Sequence, residues 1–384
     1  MPPDRVRGRL IKSGMTTIDM LAEEFTPFQD VRRILVVQLG DIGDVVWSTP
    51  TFRSVKEYCG SPVSVLVREG SGALLTADPS IHAVFEVPAP SPNFVREARR
   101  QISLIRALRA RKFDLVFDLR SDDRGAIMTF LTGAPRRASL HYGGVSFWRN
   151  RLFTHLAIPP SPRERHRGAA EQSLRIVRAF GIPTPDETPR LWVAEETGRR
   201  VDRLLEEKGI PSRGRWISVN PFSRWAYKEW DLRKWEEVID RLWTESGVET
   251  VLVGSTPERE KAERLRRGKE RAVHNLAGAT TLAELAALLQ RSRLHIGVDS
   301  AAPHIAAAVG TPTVTIYGPT DWRDWAPIGG NHRVVVSSLP CVPCFRKGCD
   351  GQGKSRCLDE LTVDDVMKTV REALRSAASL PRSA

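Results

Sequence analysis

Two carboxylates within one five-residue turn, Asp41 and Asp44 of Gly40-Asp-Ile-Gly-Asp44, are the side chains of this sequence whose type and spacing most directly suggest chemistry. The run Ile34-Leu-Val-Val37 ahead of them has the length and composition of a buried parallel strand, and a segment able to start a helix follows. A strand, a glycine-bearing turn and a helix start together leave backbone N–H groups that attract anions. A loop made only to cradle phosphate would avoid negative charge. One of these acids therefore reads as a chemical group at the mouth of a sheet. The bland reading of Asp44, a carboxylate that merely caps the first helical turn, stays open at this point. Asp41 reads as a turn former.

Three later loops carry further candidates. Asn220 to Trp230 follows a strand and offers Ser223, Arg224 and Lys228 to a negative ligand, although Lys228 also suits a surface site beside Trp225 and Trp230. Gly297 to His304 leads from a strand into a helix, with Ser300 placed to cap it and the first N–H groups free for an anion. His304 reads as a ligand contact or as a core histidine. Tyr317 to Trp322 is a fourth strand-to-turn junction, in which Asp321 is a turn former. Arg120 and His141 lie beyond strand ends, where an anionic acceptor or plain solvation accounts for them equally well. Separately, Cys341, Cys344, Cys349 and Cys357 crowd one segment, and the Cys-x2-Cys start has the spacing of a zinc or iron–sulfur set. Free thiols and disulfides are the alternatives.

Those loops need strands and helices to hold them. In the first half, Val63–Val67, Ala83–Val87 and Asp114–Leu119 read as strands, and Phe94–Arg111 as a helix with Ile102, Ile105 and Leu108 at helical spacing. In the second half, Trp216–Asn220, Thr250–Val253, Leu294–Val298 and Thr313–Ile316 read as buried strands. Helices are expected over Lys234–Glu245, Pro257–Lys269, Leu282–Arg291 and Ala302–Val309. Alternation of this kind predicts parallel sheets covered by helices, and ligands then bind beyond the carboxyl ends of the strands. The Pro-rich stretch 181–189 suits a linker. The expected organisation is an N-terminal extension over 1–30, a Rossmann-like domain over 31–185, and a second over 190–384 that includes the cysteine segment 341–357.

At 384 residues, with 41% hydrophobic and 27% charged residues, the composition is that of a globular protein with more than one core. No apolar stretch approaches the roughly 18 residues a membrane span needs, and the polar, basic first twelve residues do not read as a secretory signal. Cytoplasmic location is the expectation. The net charge of +12 calls for an anionic partner: nucleic acid, a membrane surface or a phosphorylated substrate. No zinc-finger, homeodomain or RNP-type signature supports nucleic acid, whereas an anionic membrane needs none. The clusters Arg96-Arg99-Arg100, Arg106-Arg109-Arg111-Lys112 and Arg264-Arg266-Arg267 suit solvated helix faces as well. A dinucleotide-dependent dehydrogenase is disfavoured, because the first turn lacks G-x-G-x-x-G.

Taken in order, the GDIGD turn with Ser48-Thr-Pro50, the NPFS…KEW segment, DSAAPH, Tyr317-Gly-Pro-Thr320 and Pro340-Cys-Val-Pro-Cys-Phe345 resemble the ADP-heptose:lipopolysaccharide heptosyltransferases, glycosyltransferase family 9. The resemblance runs from about Arg33 to Leu374. It implies an α/β, GT-B fold of two Rossmann-like domains whose parallel sheets face across a cleft. It also implies inverting transfer of a heptose from ADP-heptose to a lipid-linked lipopolysaccharide core acceptor. By position Asp44 matches the family's catalytic base and Lys228 its lysine near the nucleotide phosphates. Gly43, Ser223, Asp299, Ser300, Ala301 and His304 fall in the matching nucleotide-sugar segments, Ser300 and Ala301 replacing Thr and Gly. The acidic contact to the ribose stays open among Ser255, Thr256 and Glu258. No metal is then required for catalysis, and a zinc or iron–sulfur centre at the four cysteines is an additional structural possibility. The implied partners are ADP-heptose, the lipid-linked oligosaccharide and, peripherally, the anionic inner membrane. The alternatives are a relative using another sugar nucleotide or acceptor, and a non-catalytic nucleotide-sugar-binding protein.

Overall fold

The computed structural model describes residues 10–11, 28, 30–120, 122–141, 147–158, 168–211, 216–329, 331–349 and 353–378. The chain divides into two compact units, one within 1–165 and 170–189, the other within 166–169 and 190–384.

The first unit carries β1 (Leu10–Ile11), β2 (Ile34–Val37), β3 (Val63–Arg68), β4 (Ile81–Val87), β5 (Leu115–Asp118), β6 (Arg136–Leu140) and β7 (His155–Ala157). They form one sheet in the order β1-β7-β6-β5-β2-β3-β4. All neighbours are parallel except β1, which runs antiparallel to β7. Leu10–Ile11 of the expected extension thus contributes an edge strand; its remaining residues up to 27 lie outside the described ones. β2 and β5 are buried along their whole length, which is why β2 is continuously apolar rather than alternating, as is β5 up to Asp118 at its carboxyl end. The crossover Phe94–Ala110 and the helix Asp123–Leu131 cover one face of this sheet, bringing Leu104, Leu108 and Met128 against Leu35, Val37 and Val116.

The second unit carries β8 (Trp216–Asn220), β9 (Glu249–Leu252), β10 (Val273–Asn275), β11 (His295–Val298), β12 (Thr313–Tyr317) and β13 (His332–Val336). They pair in parallel in the order β10-β9-β8-β11-β12-β13. The helix expected over 257–269 is a 3₁₀ turn, Thr256–Glu258, followed by a shorter helix, Arg259–Arg266. The long helix Val363–Ala378 packs Val366, Met367 and Val370 into the core beside Trp230 and Trp235.

The strand orders decide where chemistry can sit. In the first sheet the chain moves outward from β2 through β3 to β4, then crosses back to place β5 on the other side of β2. In the second it moves from β8 through β9 to β10 and returns to place β11 on the other side of β8. Each sheet therefore has a topological switch point, between β2 and β5 and between β8 and β11. A crevice opens there beyond the carboxyl ends of the strands.

Candidate functional site

Both switch points are occupied by an acid and a cation in contact. In the first unit, Asp44 follows β2 as the third residue of the helix Ile42–Trp47. Its Oδ2 accepts the N–H of the helix-capping residue Asp41 at 2.6 Å and the Arg120 guanidinium at 2.9 Å. Arg120 leaves β5 and is held in turn by Asp122 at 3.2 Å, while Arg68 pairs with Asp41 at 3.0 Å. Among the described residues every hydrogen bond to the Asp44 carboxylate falls on Oδ2 and none on Oδ1. Burial raises the Asp44 carboxyl above its ordinary value of 3.8, with Arg120 the largest opposing influence. The capping contact and the Arg120 contact thus share one oxygen of the carboxylate. Gly40 is required by this arrangement, because a Cβ there would be built into the Asp44 carboxylate. Gly43 is the buried second residue of the same helix.

In the second unit the polarity is reversed: the cation stands after the first strand of the switch and the acid after the second. Lys228, in the 3₁₀ turn Ala226–Lys228 that follows β8, meets Asp299 beyond β11 at 2.7 Å. Both side chains are largely shielded, at 18% and 9% exposure. Ser223 ties the same two loops by donating its hydroxyl to the Asp299 carbonyl at 3.4 Å. Arg224 lies over Trp225, 5.6 Å from the ring centre.

Ser300 precedes the helix Ala301–Ala308 but its side chain does not cap it. A capping hydroxyl accepts from the second or third helical N–H, and the third residue here is Pro303, which has none. Among the described residues the buried Ser300 Oγ has no hydrogen-bond partner, nor does the buried Tyr317 hydroxyl. Ala301 is the first helical residue and His304 the fourth. Burial pushes His304 down to about 4, so the imidazole is neutral at physiological pH and brings no cation to a phosphate. Asp299 acts electrostatically on both His304 and Tyr317. The structure thereby gathers Ser223, Lys228, Asp299, Ser300, Ala301 and His304 at the second switch point, and Gly43 and Asp44 at the first.

Gly40 and Tyr317 are the participants that residue types alone did not single out, while Arg120, read as an acceptor contact or a solvated side chain, is paired with Asp44. The usable signal for Arg120 was its place just after a strand, but its partner depends on β5 lying beside β2. Glu258 reproduces the Asp44 arrangement in the second unit. Its carboxylate accepts the Ser255 N–H at 2.6 Å, and a Cβ on Gly254 would meet that carboxylate at 2.9 Å.

The cysteines do not form the expected metal centre. Cys341, Cys344, Cys349 and Cys357 are all free, and among the described residues no three His, Cys, Asp or Glu side chains are grouped to hold an ion. Cys357 is drawn into the hydrophobic core with Leu358, while Cys341 and Cys349 remain exposed. Burial pushes the Cys357 thiol up to about 11. The segment instead braces the site loops: the N–H groups of Cys344 and Phe345 donate to the Pro319 carbonyl, and Ser355 donates to the Tyr227 carbonyl at 2.7 Å.

A family profile described as glycosyltransferase family 9 (heptosyltransferase) matches residues 101–354. Lipopolysaccharide heptosyltransferase 3 of Escherichia coli is 30% identical over 293 residues, covering 74% of this chain and 84% of its own. The glycosyl transferase family 9 structure from Veillonella parvula DSM 2008 superposes with a TM-score of 0.75 at 20% identity, over 91% of this chain and 99% of that one. The E. coli ADP-heptose lipopolysaccharide heptosyltransferase II structure gives 0.72 at 21% identity, over 90% and 100%. These likenesses show that the two Rossmann-like units make the GT-B fold.

Proposed function

The chain belongs to glycosyltransferase family 9 and is a glycosyltransferase, and we propose that it is an inverting heptosyltransferase of lipopolysaccharide core assembly. ADP-heptose is the donor and a lipid A-linked core oligosaccharide the acceptor. The observation that carries this reading is the Asp44 carboxylate, fixed through Oδ2 by Asp41 and Arg120 and leaving Oδ1 for the acceptor hydroxyl.

In the transfer, the acceptor oxygen forms a bond to the anomeric carbon as the bond from that carbon to the ADP phosphate oxygen breaks, inverting the centre. The acceptor proton passes to Asp44 Oδ1. A base in that place contributes ~10² to 10⁴-fold, and a carboxyl raised by burial is a stronger base than a solvated one. On the second unit Lys228 offsets the charge gathering on the departing diphosphate. The unpartnered Ser300 hydroxyl and the first N–H groups of Ala301–Ala308 support placing the donor there. Asp299 holds Lys228 in position until the diphosphate arrives. Catalysis on this scheme draws on side chains and backbone dipoles of this chain. Among the described residues no helix is long and apolar enough to cross a membrane. We place the enzyme at the cytoplasmic face of the inner membrane, as a peripheral protein.

The test is ADP release from ADP-heptose with a heptose-deficient lipopolysaccharide acceptor, in wild type and Asp44→Asn. Acceptor-dependent turnover that drops about two decades or more in the variant, with donor affinity kept, is the expected result. Donor binding without turnover in the wild type, across a panel of acceptors, would leave a binding protein instead.

A further inference from the structure

The two sets of surface arginines in this chain are not equivalent. In the second unit four of them sit on helices with an acid one turn away: Arg199 with Glu195, Arg200 with Glu196, Arg264 with Glu260, Arg266 with Glu263. Such faces are neutralised within the helix and ask for no partner. The helix Phe94–Ala110 of the first unit differs. Glu97 is the acid within it and points to the core side, accepting from Ser91 and Gln101. Among the described residues no acid pairs with Arg96, Arg99 or Arg106.

The outward stripe of this helix also carries apolar side chains that nothing covers. With Leu104 and Leu108 facing the sheet, the opposite side at helical spacing reads Val95, Arg99, Ile102, Arg106. Phe94 is 83% exposed, Val95 57% and Ile102 48%. The neighbouring helix Asp123–Leu131 covers the same sheet face and adds Ile127 at 43% and Phe130 at 48% exposure. Arg137 lies over the Phe130 ring, 5.5 Å from its centre. Apolar groups set among unpaired arginines match a surface whose headgroups are anionic and whose next layer is hydrocarbon. Nucleic acid would use the cations and leave the apolar groups in water.

We propose that the outer face of Phe94–Ala110 and Asp123–Leu131 docks onto an anionic lipid bilayer. The proposal rests on the reading of a lipid-linked acceptor and names the surface that meets the lipid. Its placement suits that role. The helix Phe94–Ala110 begins where β4 ends, so Phe94 and Val95 lie at the same end of the first sheet as Asp44 and Arg120, which follow β2 and β5. A headgroup layer meeting Phe94 is then at the end of the unit where the acceptor hydroxyl must arrive.

Vesicle co-sedimentation of the full chain tests this, with phosphatidylcholine alone and with phosphatidylglycerol added, across a salt series. The wild type should bind the anionic vesicles, less at high salt, and not the zwitterionic ones. Arg99→Gln/Arg106→Gln should weaken that binding roughly 30-fold, taking about fivefold for each arginine. Phe94→Ser/Ile102→Ser should weaken it as well, whereas Arg264→Gln/Arg266→Gln should change it little. Circular dichroism melts establish that each variant is folded. No binding by the wild type, or equal loss from the Arg264/Arg266 variant, overturns the proposal. Binding to duplex DNA that depends on Arg99 and Arg106 in place of vesicle binding also overturns it. Turnover with a detergent-dispersed acceptor is measured alongside. Lost turnover with intact vesicle binding counts against the proposed reaction, and the converse counts against the docking face.

Discussion

Asp44 and Arg120 stand on the loops that leave two adjacent strands, β2 and β5, and their 2.9 Å contact crosses the switch point of the first sheet. The pair is not a stabilising device. Burial raises the Asp44 carboxyl above 3.8 despite Arg120, so the ionised form is held at some expense to the fold. A raised carboxyl contributes its stability at low pH and loses it as pH rises through the folded value. Asp44→Asn should therefore be at least as stable as the wild type at neutral pH while losing transfer, and urea midpoints beside ADP-release rates check both.

On the proposed scheme Arg120 would act on the reaction through Asp44. Removing its charge removes the largest influence holding the carboxyl down, so the acid limb of the kcat/KM profile should move to higher pH in Arg120→Gln. Arg120→Lys keeps the charge and should leave the limb near that of the wild type. A residue that served only the fold would shift the melting curve and not the limb.

Gly40 is set by the same carboxylate. Its Cα approaches Asp44 so closely that even a methyl group must displace the acid from Arg120 and from the Asp41 N–H. Gly40→Ala should lower kcat about tenfold or more, the cost of a base moved off line, with ADP affinity on the second unit unchanged. Tightened or unaltered kcat would show that the carboxylate position is not critical.

Lys228 and Asp299 are each other's compensation at the second switch point. Lys228→Met leaves a shielded carboxylate without its cation and should lower stability by roughly 3 kcal/mol. It should also lower kcat about 10² to 10³-fold if the lysine meets the leaving diphosphate. Lys228→Met/Asp299→Leu should recover much of the stability and none of the turnover, separating the two effects in a denaturation series and a steady-state assay.

The buried His295 and His304 and the half-buried His332 are pushed by desolvation to about 3, 4 and 4. Their folded values lie below the ordinary 6.5, so their contribution is complete above that pH and is lost as pH falls toward 4. Each proton taken up only on unfolding steepens the loss by about 1.4 kcal/mol per pH unit. His295→Gln should give a shallower decline of the urea midpoint with falling pH than the wild type. An unchanged slope would place a protonated imidazole in the folded core.

Much of this was readable along the chain. Ile34–Val37 is buried on both faces and apolar throughout, so composition alone betrays it. The equally buried Trp216–Asn220 and Thr313–Tyr317 still read as strands because large apolar residues separate Ser218, Asn220, Thr313 and Thr315. Short or mixed strands escaped: Arg136–Leu140 and His332–Val336 carry arginine and histidine at partly open positions, and Val273–Asn275 is three residues long. Positions beyond strand ends also identified the loops, because a parallel sheet has its crevice at one end only. Spacing on its own misjudged the cysteines. Four thiols near in sequence are a ligand set only if all can face one point, and the core took Cys357 while Cys341 stayed at the surface.

The sequence by itself determined the class of the fold, the family, and the turns that would carry polar side chains, since apolar runs, glycines and local motifs act through neighbours a few residues away. The tertiary structure decided which of those turns meet. Asp44 and Arg120 are 76 residues apart, and they touch because the crossover from β4 returns the chain to the far side of β2. Lys228 and Asp299 meet by the same device in the second sheet. Strand order is settled by how helices pack over the whole sheet, and no local run of residues encodes it. Which arginines are left unpaired is likewise decided by packing, because burial chooses the face each helix turns to water.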